Sequence, residues 1–137
     1  MVILIDTNIL IDAAAQRVPF CESSNSVLAL CAGQEVTGFV SSRSFCDIFY
    51  ILRKEMNTGE RKLLIKSLRG FLHTVIITNP IIDRALDNDD ITDFEDAIQY
   101  ACAESIDADY IITRNIKDFG NSNIKAITPD EFLKVKI

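Results

Sequence analysis

Short apolar runs alternate with amphipathic stretches along most of this chain. Val2-Ile3-Leu4-Ile5 is a continuous apolar run, the pattern of a parallel strand buried on both faces. Residues 8–15 open a helix, Pro19 interrupts it, and a second helix is predicted over 24–32, ended by Gly33. A strand follows at 35–40. Ser41 and Ser42 are N-cap candidates for a helix to about Met56, with Phe45, Ile48, Phe49 and Leu52 on its apolar stripe. The next helix covers 58–72, with Leu64, Leu68, Phe71 and Leu72 inward, and a β-branched strand covers 73–78. A short helix follows Pro80. Thr92-Asp93-Phe94-Glu95 has the form of a capping box and starts a helix to about Ser105, with Phe94, Ala97, Ile98, Ala101 and Cys102 as its stripe. Strands at 110–113 and 124–127 complete the pattern, and Pro129 opens a short final helix. Strands alternating with helices predict an α/β fold: a three-layer α/β/α sandwich with a central parallel sheet. With no repeat or linker in its 137 residues, the chain reads as a single domain spanning 1–137.

Composition changes this picture little. Apolar residues make up 48% and charged residues 25%, an ordinary globular mix. No apolar run approaches the roughly 20 residues needed to span a bilayer, and the N-terminus has no signal-peptide pattern. The four cysteines (Cys21, Cys31, Cys46 and Cys102) form no C-x-x-C pair, and three sit among apolar neighbours as small hydrophobes. A reduced, cytoplasmic setting is expected, with no membrane partner. The formal net charge of −6 argues against nucleic acid as a partner when taken alone. The charge is uneven, however. Residues 53–69 carry Arg53, Lys54, Arg61, Lys62, Lys66 and Arg69, whereas 83–96 carry seven acids against only Arg84. A basic face beside an acidic pole suits a metal-using, phosphate-binding enzyme; two solvated surfaces give the same pattern.

The chemistry gathers at element ends. Ligands of open α/β sheets bind outside the carboxyl ends of the strands. Asp6 directly follows the first strand. Crossover helices run antiparallel to the strands, so their N-termini face the same edge. Asp47 lies about one turn into the helix after the second strand, and Asp96 in the first turn of the helix leading to strand 110–113. Asn115 and Asp118 fall just beyond that strand. Crowded carboxylates need protons or cations to compensate them. All-oxygen donors favour a hard ion, Mg²⁺ or Mn²⁺. Such an ion activates water and neutralises phosphodiester charge, the chemistry of phosphodiester hydrolysis.

Ile5-Asp6-Thr7-Asn8, Val40-Ser41-Ser42 with Asp47-Ile48, Asp93-Phe94-Glu95-Asp96-Ala97, and Tyr110-Ile111-Ile112-Thr113-Arg114-Asn115 with Asp118-Phe119 stand in an order that resembles the PIN-domain ribonucleases, including the VapC-type toxins of bacterial toxin–antitoxin pairs. The resemblance covers essentially the whole chain. It implies a Mg²⁺-dependent endoribonuclease acting on RNA, an antitoxin partner and a homodimer, for which the apolar helices of 45–72 offer a surface. It implies that Asp6, Asp47 and Asp96 are metal-site acids, with Asp118 as the fourth, and that Asn8 and Thr113 orient carboxylates, a water or a phosphate. Two positions depart from the family pattern. Asp47 stands where many members have Glu, and Asn115 where many have Asp.

Plainer roles stand beside these. Asp6 also fits an N-cap, and Asp96 a first-turn acid opposite the helix dipole. Asp47, near an apolar stripe, is the least comfortable of the three as a bystander. Asp109 reads as a turn residue. Arg43, Arg114 and Lys117 flank the rim, either holding phosphates or sitting on plain surface. His73 is the only histidine, which speaks against catalytic triads and histidine-rich zinc sites. A dehalogenase-type phosphohydrolase with Asp6 as nucleophile lacks its second acid, because that position is Asn8. A degenerate PIN domain that binds RNA or protein without cleaving is the main alternative.

Overall fold

The computed structural model describes residues 1–120 and 122–135. Five strands, β1 (Val2–Ile5), β2 (Thr37–Ser41), β3 (His73–Val75), β4 (Tyr110–Ile112) and β5 (Lys125–Ile127), pair in the order β3-β2-β1-β4-β5. Every pairing is parallel, with Ile3 opposite Gly38 on one side and Tyr110 on the other. The helices are α1 (Thr7–Ala14), α2 (Cys21–Ala32), α3 (Ser42–Ile51), α4 (Thr58–Arg69), α5 (Asn79–Leu86), α6 (Phe94–Ser105) and α7 (Pro129–Leu133).

Strand periodicity divides the core. Ile3 and Ile5 of β1, Ile112 of β4 and Ile127 of β5 face a cluster with Ile9, Val27, Ile48, Leu68 and Phe132 from α1, α2, α3, α4 and α7. The alternate residues Leu4, Ile111 and Ala126 face Ile81, Ala85, Ile98 and Cys102 from α5 and α6. Because successive side chains point to opposite faces, the apolar runs must be covered twice. The three-layer α/β/α sandwich expected from the pattern is the observed fold.

Element ends differ from expectation where local chemistry intervenes. α6 starts one residue later than the capping box implied: Asp93, not Thr92, is the N-cap and accepts from the Asp96 backbone N–H at 3.1 Å. Glu95 is thereby released to pair with Arg43. β3 stops at Val75 because its partner β2 stops at Ser41, opposite it, and Ile76 is exposed. α3 ends at Ile51 and tightens into a 3-10 turn over Leu52–Lys54, short of Met56. β2 starts at Thr37 rather than 35, and α2 begins at Cys21, before Ser24. Of the cysteines, Cys31 and Cys102 are buried, Cys21 is half-buried and Cys46 is exposed. Burial pushes the Cys31 and Cys102 thiols up to about 11, so they stay neutral.

Two basic residues of the 53–69 stretch stack on aromatic rings. The Arg53 guanidinium lies 3.9 Å from the Tyr50 ring centroid and that of Arg61 4.2 Å from Phe49. His73 packs on Phe39, with ring centroids 5.0 Å apart, a structural role. Asp109 accepts the Val2 N–H at 2.8 Å and ties the start of β1 to the turn before β4.

Candidate active site

The chain adds strands in one direction from β1 to β3, then returns to the other side of β1 with β4. That reversal leaves a crevice at the carboxyl ends of β1 and β4, where a doubly wound sheet binds its ligands. A cleft of about 230 Å³ lies there, walled by Asp6, Asn8, Asp47, Asp96, Gln99 and Asn115 among others.

Asp6 sits at its floor. Its backbone N–H donates to Ile112 O at 2.9 Å, extending the β1–β4 ladder by one bond. Its side chain caps α1, with Oδ1 accepting from the Thr7 N–H at 2.8 Å. Oδ1 also accepts from Gln99 Nε2 at 3.1 Å, and Oδ2 from the Thr113 hydroxyl at 2.8 Å. The capping role and the site role therefore coexist in one carboxylate. Each of these donors is neutral, so Asp6 is aimed without its charge being cancelled. Thr113 is itself fixed twice. Its N–H donates to Ile127 O at 3.0 Å, and its Oγ1 accepts from the Asn115 N–H at 3.0 Å.

Asp96 reaches the cleft from the first turn of α6. Burial first, and then the negative charges of Asp93, Asp118, Asp6 and Glu95, push its carboxyl up to about 7. Asp118, on a 3-10 turn over Ile116–Phe119, is exposed and is not on the cleft wall. Its negative charge adds to those that raise the Asp96 carboxyl. Asn115 does line the cleft.

Asp47 lines the cleft too, but its carboxylate is engaged. Arg43, one helical turn earlier, places Nε 3.5 Å from Asp47 Oδ2 and Nη2 2.8 Å from Glu95 Oε1. The guanidinium thus bridges α3 to α6 across the cleft mouth. Arg114 is turned away from the cleft toward α1, so the rim position expected for it is not observed.

A divalent cation can be tested against these groups. Among the described residues no three acid, His or Cys side chains are grouped closely enough to hold a metal, and Asp47 is paired with Arg43. Two observations fit a hard cation nonetheless. The cleft residue Asn8 has a buried Oδ1 with no donor. Asp96 is crowded by negative charge that a cation would relieve. The donor set is all oxygen, as such ions prefer.

Comparison with known proteins identifies the family and the fold. The family model of the PIN domain matches residues 2–117, most of the chain. The chain belongs to the PIN domain family. This PIN domain is similar to a chain of a toxin–antitoxin complex from Klebsiella pneumoniae, at 25% identity and TM-score 0.70, covering 92% of this chain and 96% of that one. It also resembles a chain of VapBC2 from Rickettsia felis, bound to a promoter DNA fragment, at 18% identity and TM-score 0.73, covering 93% and 98%. A third likeness is to VapC20 of Mycobacterium tuberculosis, described as a sarcin-ricin loop cleaving toxin, at 13% identity and TM-score 0.63, covering 80% and 86%. No curated protein sequence matches it significantly.

Some groups at or beside this PIN domain's site are only weakly marked in the sequence. Gln99 lies on the otherwise apolar face of α6, where its polarity was the available clue. Ser44 is buried, 2.7 Å from Thr7 Oγ1 and 3.2 Å from Ser41 Oγ, and joins α1 to α3 beneath the cleft. Asp12 was the most legible omission, an acid between Ile11 and Ala13.

Proposed function

We propose that this PIN domain is a divalent-metal-dependent endoribonuclease hydrolysing RNA phosphodiester bonds, the toxin of a toxin–antitoxin pair. The observation that carries this reading is that Asp6 and Asp96 line one cleft at the switch point of a PIN fold, with burial and neighbouring acids, Asp6 among them, raising the Asp96 carboxyl to about 7. Asp6 and Asp96 would hold Mg²⁺ or Mn²⁺, with Asp47, Asp118, Asn8 and Asn115 contributing oxygens directly or through water. Such an ion supplies charge neutralisation at a phosphodiester oxygen and activation of water. The chain's own groups do the rest. Thr113 and Gln99 hold Asp6 still, ionised Asp96 draws the cation, and Arg43 carries positive charge to the mouth, where a substrate phosphate enters.

The test is cleavage of single-stranded RNA with Mg²⁺ or Mn²⁺. Cleavage is expected to stop with chelator and to be lost in Asp6→Asn. Unchanged cleavage in Asp6→Asn removes this site from the reaction.

Arg43 makes a second, separable prediction. In the free protein it competes with any cation for Asp47. Arg43→Met is expected to tighten Mn²⁺ binding while weakening RNA binding, with the logarithmic salt slope falling by about 0.7 for one lost phosphate contact. Both affinities moving together would show that Arg43 serves neither role.

The antitoxin partner is supported by the assemblies in which the similar structures occur. A homodimer fits the apolar surface of α3 and α4, where Tyr50 and Leu63 are each more than 60% exposed. A monomer by sedimentation at micromolar concentration removes that surface from consideration. The alternative, a degenerate domain that binds RNA or protein without cleaving, is favoured by one observation: Asp47 is paired with Arg43 rather than grouped with the other acids. Millimolar Mn²⁺ that fails to bind, with or without RNA, decides for it.

A further inference from the structure

Asp12 is a fully buried carboxylate in the apolar run of α1. Burying an ion costs several kcal/mol unless a close partner offsets it. That partner is Arg114, the second residue beyond β4, whose Nε lies 2.6 Å from Asp12 Oδ2 and whose Nη2 donates to Oδ1 at 3.3 Å. Arg17 adds a weaker contact at 3.9 Å. The Arg114 guanidinium lies 4.3 Å from the Phe20 ring centroid, so its other side is covered by an aromatic face.

The pair completes a closed circuit. Asp6 caps the first turn of α1, and α1 carries Asp12. Asp12 holds Arg114, the neighbour of Thr113. Thr113 returns to Asp6 through the bond to Oδ2, and Asn115 braces Thr113 from the other side. Without the pair, the ladder bonds Asp6 N–H to Ile112 O and Thr113 N–H to Ile127 O still hold the end of β4, but beyond Thr113 the chain leaving it is tied toward Asp6 by these short side-chain bonds.

We propose that Asp12 and Arg114 are positioning residues: the ion pair between buried Asp12 and half-buried Arg114 clamps the start of the β4 exit loop onto α1, so that Thr113 keeps Asp6 aimed into the cleft. The proposal rests on the reading of Asp6 as a metal-site acid. It gives Arg114 a role distinct from a phosphate contact, because its guanidinium is spent on Asp12 and Phe20.

The deciding variant replaces both partners, Asp12→Leu with Arg114→Met, because an apolar pair of similar volume usually preserves a fold that a single removal would break. Its thermal midpoint is expected to stay within a few degrees of wild type. Its kcat on RNA falls about 10- to 100-fold, while KM and the salt dependence of RNA binding hold. Mn²⁺ affinity, read by electron paramagnetic resonance without any RNA, drops about tenfold. Amide exchange quickens at Asn115 and Asp118 and is unchanged in β1. Arg114→Lys keeps a cation on Asp12 and is expected to shift the same readouts in the same direction by less. It serves as the test protein if the double variant does not fold. Unaltered Mn²⁺ affinity and exchange in a folded variant overturn the clamp. So does a raised KM with a shallower salt slope, which marks Arg114 as a phosphate contact. If the wild-type protein cleaves no RNA, the nuclease reading falls alone, and Mn²⁺ affinity and amide exchange still judge the clamp.

Discussion

Asp96→Asn should abolish metal-dependent RNA cleavage and, in the same protein, raise stability at alkaline pH. The loss of rate follows from removing an acid proposed to hold the cation; several kcal/mol of charge stabilisation corresponds to about 10³-fold or more. The gain in stability follows from linkage. The folded-state carboxyl is raised to about 7, well above its ordinary value near 4. A group shifted upward favours the protonated form on folding. Its contribution is therefore fully present at acid pH and is lost as pH rises from about 4 through 7. The amide never ionises and escapes that loss. The difference between variant and wild type should open across this window and level off above it. Discounted for partial solvent screening, it is about 1 kcal/mol, or about 3 °C in the thermal midpoint. Mn²⁺ should narrow the gap at pH 8 by stabilising only the wild type. Thermal melts at pH 5 and pH 8, with and without Mn²⁺, check each part. A variant less stable than wild type at pH 8 would mean that Asp96 is already compensated in the free protein.

Gly38→Val should be among the most damaging single changes outside the cleft. Gly38 is buried in β2, between α2 and the segment that enters β3. A Cβ there would stand 2.6 Å from Cys31 Sγ and 2.9 Å from Leu72 Cδ2, closer than non-bonded atoms approach. Both neighbours belong to the same packed cluster and have little room to retreat. Overpacking of this kind costs about 3 kcal/mol at its upper end, or about 10 °C for a chain of this size. Gly38→Ala should lose less, and Cys31→Ala should restore much of that loss by removing the nearer atom. Melting curves of the three variants read out the coupling directly. Additive effects would place the strain elsewhere.

Gly38 also shows where sequence reasoning stops. In the sequence it is a glycine inside a strand pattern, and only packing reveals that α2 and Leu72 close onto it. Strands such as Val2–Ile5 were legible because burial on both faces leaves an unbroken apolar run. Asp6, Asp47 and Asp96 were brought to one cleft by chain direction alone, since a parallel sheet sends every strand end and every crossover-helix start to the same edge. What a side chain does there was less legible. Arg43 and Arg114 look alike in sequence, each beside a predicted site residue. One spans the cleft mouth, and the other turns inward because Asp12 is buried within its reach. Asp118 is close in sequence to Asn115, yet the 3-10 turn leaves it exposed beyond the cleft wall. Thr92 and Asp93 both suit an N-cap, and the choice between them moved Glu95 from a capping partner to a bridge with Arg43.

The reversed strand order has a consequence during synthesis. β1, β2 and β3, with Asp6 and Asp47, can come together once residue 75 is made. Asp96 arrives twenty-one residues later, and Thr113 only after β4 has docked beside β1. Until then a growing chain carries at most the Asp6 and Asp47 side of the cleft. A ribosome-bound fragment that ends before Thr113 lacks both the second acid's helix seated on β4 and the hydroxyl that aims the first. On the proposed reading, the nuclease site is complete only once Thr113 has joined it, late in the 137-residue chain.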